Sequence, residues 1–230
     1  MNWQAIGLTL RLALLVSALL LVIGLPIAYW ITFSRWRFKF LIEAVVAMPL
    51  VLPPTVLGFY FLLLLGRESV LGGIIERVFG ATLPFTFAGL AVASVLYSLP
   101  FAVQPFAAGF AGVDRNLIHA SALLGASGFK TFFRLIAPLS KAGIVTGFVL
   151  SFAHTLGEFG VVLMVGGNIP GATRTISIAI YDDVQALNYS SASSNALALL
   201  IFAFVALSLV YALNRKLLSF WDPSPKVLER

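Results

Sequence analysis

Few side chains in this sequence could do chemistry, and that scarcity already narrows its function. There is no cysteine among the 230 residues, which removes disulfides, thiolate metal sites and thiol nucleophiles. The two histidines, His119 and His154, are too few for a histidine-rich metal site. Glu158 follows His154 by four residues, so on one helix they would share a face. A local hydrogen bond, and not a metal, is the expected use of that spacing. Glu158 is also the one acidic residue deep inside an apolar run. Uncompensated burial in a bilayer costs about 2.5 kcal/mol or more, so Glu158 needs a partner or a proton. The expectation is that it accepts hydrogen bonds from Ser, Thr or backbone donors near a gate. Proton relay and a plain structural contact are the alternatives.

Two other groups of residues could serve a pathway. Pro49, Pro53 and Pro54 crowd one apolar run, where each removes a backbone donor and bends a helix. Carbonyls freed inside a membrane must face protein or a water-filled cavity. The bend therefore reads either as a static kink or as part of a pathway or gate, together with Gly157, Glu158 and Gly160. Further on, Asn168, Pro170, Gly171 and Arg174 form a polar loop. The Arg174 guanidinium could attract an oxyanion, contact a carboxylate on a docking protein, or simply be solvated.

The elements that would position these groups follow from composition. The chain is 60% hydrophobic and 10% charged, against about 25% charge in a soluble domain. Its apolar runs are continuous and not alternating, which points to spanning helices and not barrel strands. The fold class expected is an all-α integral membrane protein with about five spans, near 8–33, 42–65, 87–111, 141–165 and 195–217. The first apolar run has no small-x-small cleavage site near Pro26 and reads as a retained helix. A single membrane domain over 1–230, with no soluble domain, is expected. The net charge of +6 does not indicate nucleic acid, because the basic residues fall in short clusters between apolar runs.

Those clusters predict orientation. Arg35, Arg37 and Lys39 outweigh Glu43 in the first loop, and Arg115, Lys130, Arg134 and Lys141 outweigh Asp114 in the third. The tail carries Arg215, Lys216, Lys226 and Arg230 against Asp222 and Glu229. In the second and fourth loops the charges balance or turn negative, with Asp182 and Asp183 facing Arg174. The positive-inside rule then puts the N-terminus outside and the C-terminus in the cytoplasm.

The third loop, 112–140, is the longest on the cytoplasmic side. Asp114 can cap a short amphipathic helix over 115–124. Gly125 and Gly128 allow a sharp turn, Phe129–Ile136 a second short helix, and Pro138 is expected to stop it. Taken alone, this is either an interfacial hairpin on the lipid surface or a docking element.

The spacing from His119 to Pro138 resembles the cytoplasmic loop of bacterial ABC-importer permeases: Glu-Ala-Ala, three residues, Gly, nine residues, Ile-x-Leu-Pro. Ala120, Gly125 and Pro138 match, Ser121 and Leu135 are conservative replacements, and His119 and Ala137 stand in for Glu and Leu. Two more stretches, Thr155-Leu156-Gly157-Glu158-Phe159-Gly160 and Gly167-Asn168-Ile169-Pro170-Gly171, look like those of molybdate permeases, with sulfate and tungstate permeases as near relatives. The likeness covers about residues 5–215. It implies a type I importer permease in the bacterial inner membrane. It further implies a homodimer, two cytoplasmic ATPases that hold ATP and magnesium, and a periplasmic oxyanion-binding protein. It also implies that His119, Ala120, Ser121, Leu124, Gly125, Ala126, Ser127, Gly128 and Pro138 form the ATPase-coupling loop, and that Asn168, Pro170, Gly171 and Arg174 face the binding protein. The chain has no Gly-x-x-x-x-Gly-Lys-Ser/Thr loop, so no cofactor or ATP hydrolysis is expected on it. Tungstate or sulfate and thiosulfate import, and a proton-coupled secondary transporter, are the alternative functions.

Overall fold

The computed structural model describes residues 1–219, with side chains described through Ala212; of the tail charges, Arg215 and Lys216 are described in their backbone alone, and Asp222, Lys226, Glu229 and Arg230 lie outside the described residues. Every regular element among them is helical. Helix α1 (Trp3–Phe33) begins where the Asn2 side chain accepts the Ala5 amide at 3.0 Å. Helix α2 (Lys39–Ala47) runs into a 3₁₀ turn, Met48–Leu50, and α3 (Pro54–Leu65) follows. Next come α4 (Val70–Phe79), α5 (Phe87–Ala111) and α6 (Arg115–Leu123). A second short helical segment is built from α7 (Gly128–Thr131), a π turn over Phe132–Ile136, and α8 (Ala137–Leu139). The chain closes with α9 (Lys141–Gly157), α10 (Gly160–Gly166), α11 (Ile176–Gln185) and α12 (Tyr189–Ser219).

The centre is a three-helix unit of α1, α5 and α9. Leu12, Val16 and Leu20 of α1 are wholly buried in the same cluster as Phe106 and Phe110 of α5. Lipid tails are as apolar as these side chains, so in a bilayer close packing holds helices together, and small residues permit it. The α5–α9 contact uses this device: a Cβ on Gly143 would stand 2.6 Å from the Pro105 carbonyl oxygen and 2.9 Å from Gly109 Cα. Ser140 Oγ donates to the Gly109 carbonyl at 3.0 Å and fastens the two helices at that end. Around this unit, α3 packs on α10, and α12 packs on α9 and α11.

Two expected spans are not single helices. The stretch 42–65 breaks at Val51–Pro53 and bends by 112°. Pro54 cannot extend the preceding helix and disfavours helical geometry at Pro53, which is extended at φ −56°, ψ 138°. Its fixed φ suits it instead to the first turn of α3. The stretch 141–165 ends its first helix at Gly157 and resumes at Gly160, with Glu158 and Phe159 non-helical between. Among the described residues, three unbroken helices are long and apolar enough to cross a membrane, and up to five segments qualify if two bent pairs, Lys39–Leu50 with Pro54–Leu65 (112°) and Gly128–Leu139 with Lys141–Gly157 (77°), each count as one. The loops also hold helices the hydropathy pattern misses: α4, capped by the Ser69 hydroxyl, and α11, capped by Thr175.

Candidate functional site: a helical hairpin and a cavity between two helix breaks

At one end of the molecule, residues 112–140 form a helical hairpin. Asp114 Oδ1 accepts the Asn116 amide at 2.8 Å and starts α6. Gly125 turns the chain at φ +77°, a left-handed conformation that favours glycine. The Ser127 hydroxyl then caps α7 by accepting the Lys130 amide at 3.3 Å. A hydroxyl pair, Ser121 with Thr131 at 2.7 Å, ties the two arms together. Ile136 is buried in the main core, and the Phe132 ring meets Tyr29 and Phe110 edge-on at 5.6 and 5.8 Å. The hairpin is thus anchored on its inner side. Its outer side leaves Leu123, Leu124 and Phe129 at 89%, 88% and 76% exposure, beside exposed His119 and Ala120. Pro138 does not stop the second arm, which runs on to Leu139 and breaks at Ser140. The π turn just before Pro138 widens the backbone where the proline ring would press on the preceding turn, and so absorbs it.

The two helix breaks meet. Pro54, Thr55, Tyr97, His154, Glu158 and Gly160 are among the residues around a cavity of about 570 Å³, which Gly157 also borders. Pro49 and Pro53 are not among its lining residues; Pro49 sits in the 3₁₀ turn and Pro53 in the bend. His154 does not pair with Glu158, because α9 ends first. Its Nδ1 meets Ser98 Oγ of α5 at 2.9 Å, Ser98 meets Thr155 Oγ1 at 3.1 Å, and the imidazole stacks on Phe101 at 3.9 Å. Glu158 is 4% exposed, and neither carboxyl oxygen has a hydrogen-bond partner among the described residues. One of the expected serine donors is nonetheless beside it. The Ser94 hydroxyl of α5 faces the carboxyl but is itself without a closed hydrogen bond. Ser94 and Ser98 were not singled out from the sequence; their spacing of four on an apolar helix is the signal that marks a polar stripe there.

At the opposite end, Arg174 is already engaged within its own loop. Its Nε donates to Asn168 Oδ1 at 2.6 Å, its guanidinium pairs with Asp182 at 3.4 Å, and Asn168 donates to the same carboxylate at 2.6 Å. Pro170 and Gly171 form the exposed tip, with Gly171 at φ +78°.

An all-helical membrane unit with broken spans and an anchored hairpin at one end is the architecture of a transport permease. The chain belongs to the family of binding-protein-dependent transport system inner membrane components, which residues 5–219 match. It is 49% identical over 211 residues to the molybdenum transport system permease protein ModB of Azotobacter vinelandii, covering 92% of this chain and 93% of that one. It is 35% identical to the ModB protein of Escherichia coli K12, with 91% of each chain covered. A probable sulfate transport system permease protein, cysT of Prototheca wickerhamii, is 32% identical over 90% of this chain and 80% of its own. Among solved structures, inward-facing forms of the MetNI methionine ABC transporter share the fold at a TM-score of 0.73, with 16% identity and 94% and 95% coverage.

Proposed function

We propose that this chain is the membrane-spanning subunit of an ATP-driven importer of molybdate. The observation that carries the substrate is the 49% identity to a molybdenum permease along nearly the whole of both chains. The chain is a transport subunit and not an enzyme; ATP hydrolysis falls to a separate ATPase. Membership of the binding-protein-dependent family weighs against a proton-coupled secondary transporter.

In this reading two copies of the chain form the pathway, with the N-terminus outside and the hairpin in the cytoplasm. One ATPase docks on each hairpin through Leu123, Leu124, Ala126, Gly128 and the exposed face from His119 to Ser121. The rigid turn at Gly125 and the anchored Phe132 let the hairpin move as one body. ATP-driven closure of the ATPases draws the hairpins together, and the paired breaks at Pro53–Pro54 and Gly157–Gly160 flex to open the cavity outward. The periplasmic binding protein meets the loop tip at Pro170 and Gly171. Among the described residues the cavity lining is apolar apart from hydroxyls, an imidazole and one carboxyl, with no lysine or arginine for an oxyanion. Substrate selection therefore belongs to the binding protein. The test is co-purification with the ATPase, then vanadate-sensitive uptake into proteoliposomes with molybdate, tungstate and sulfate compared. Sulfate uptake exceeding molybdate uptake overturns the substrate; uptake without ATP overturns the mechanism.

A further inference from the structure

Basic side chains converge where the hairpin meets the end of α1. A cavity of about 170 Å³ is lined by Thr32, Ser34, Arg35, Lys39, Arg115 and His119, drawn from α1, the following linker, α2 and α6. Lys39 and Arg115 are the first residues of α2 and α6, so their cations stand at neighbouring helix starts. Among the described residues, no carboxylate lines the cavity. The one ion pair any of its cations makes among the described residues is a loose contact of Lys39 with Glu43 at 3.9 Å. Three permanent cations around so small a space repel one another and call for a counter-anion.

The depth of the cavity says which anion. Trp30, Trp36, Phe38 and Phe40 are all exposed and form a continuous aromatic patch beside it, with ring centroids 5.8 Å apart for Trp30–Trp36 and 5.7 Å for Trp36–Phe38. Exposed aromatics at the end of a spanning helix mark the membrane–water interface. The cavity mouth therefore lies at headgroup depth, in the leaflet on the hairpin side. We propose that this cavity holds the phosphate of an anionic phospholipid, which bridges the linker cations Arg35 and Lys39 to Arg115 on the hairpin. The bridge steadies the hairpin against the membrane. The proposal rests on the spanning architecture and, for its effect on coupling, on the reading of 112–140 as the ATPase-docking loop.

The experiment uses the permease–ATPase complex extracted in mild detergent. Phosphatidylglycerol retained through delipidation is quantified by mass spectrometry for the wild type, Arg35→Gln with Arg115→Gln, and Arg35→Lys with Arg115→Lys. Each surface cation contributes about 1 kcal/mol of attraction to anionic lipid, so the double glutamine variant should bind phosphatidylglycerol on the order of thirtyfold more weakly. The double lysine variant should retain it, which separates loss of charge from loss of fold. Equal retention by the glutamine variant and the wild type overturns the proposal. In a second arm, the wild-type complex in phosphatidylcholine vesicles receives either phosphatidylglycerol or free molybdate and inorganic phosphate. Thermal stabilisation by phosphatidylglycerol alone supports the lipid; equal stabilisation by the free anions overturns it in favour of a soluble oxyanion. ATPase co-purification is scored in parallel, so loss of docking is distinguished from loss of lipid.

Discussion

Gly160 lies against Pro54 so closely that a methyl group on the glycine would stand 2.7 Å from the proline Cβ. Each residue starts the helix that follows a break, so the two interruptions touch through their first turns. Gly160→Ala should force the pair apart at a cost of about 1–3 kcal/mol. Uptake is expected to fall while ATPase co-purification stays intact, measured on the same preparation. Pro53→Ala with Pro54→Ala should act alike by straightening the bend. Loss of complex assembly in either variant would instead mark the contact as purely structural.

Glu158→Gln keeps shape and removes the ionisable carboxyl. Among the described residues no hydrogen bond to the carboxyl closes, and ionising it unpaired at bilayer depth costs about 2.5 kcal/mol or more. The variant should therefore unfold at the same or a higher temperature in detergent, while ATP-driven uptake declines. Unchanged uptake would remove the carboxyl from the transport cycle.

Leu123 and Leu124 at the hairpin tip are nearly fully exposed, whereas the anchors Ile136 and Phe132 are packed in the core. Leu124→Asp should leave the permease folded and reduce ATPase binding on the order of tenfold or more, because central apolar contacts carry most interface energy. A pull-down with a monodispersity check on the permease reads this directly. Retained binding would move the docking surface away from the tip.

Arg174 and Asp182 are each about one-third exposed, at 30% and 34%, so their pairing should be weak. A double-mutant cycle with Arg174→Ala and Asp182→Ala is expected to give a coupling below about 1 kcal/mol. If Arg174 instead serves a binding protein, Arg174→Ala will abolish uptake while Asp182→Ala preserves it.

The membrane class and the hairpin were legible in the sequence because both depend on local signals: continuous apolar runs, an Asp cap and a turn glycine. The breaks were half legible. Three prolines announce a bend over 49–54, yet nothing in the sequence says that its partner is Gly160, more than a hundred residues away. Short helices were the blind spot. The segments α4 and α11 carry Glu76, Arg77, Asp182 and Asp183, which lower their hydropathy below that of a span, although Ser69 and Thr175 stood ready as caps. His154 was misjudged for a different reason. Its i,i+4 relation to Glu158 assumed an unbroken helix, and its actual partner, Ser98, lies across a helix interface.

The glycine-lined seam between α5 and α9 has a mechanical meaning. Gly143 lets backbone press on backbone, and the Ser140–Gly109 bond clamps the hairpin end, so the two helices are joined as one strut. The hairpin is attached at one end of α9 and the Glu158 break at the other, with 17 residues between, a span of about 25 Å. A stiff strut with a soft joint at its far end is a lever. A small push on the hairpin then needs no chain of side-chain rearrangements to be felt at the joint.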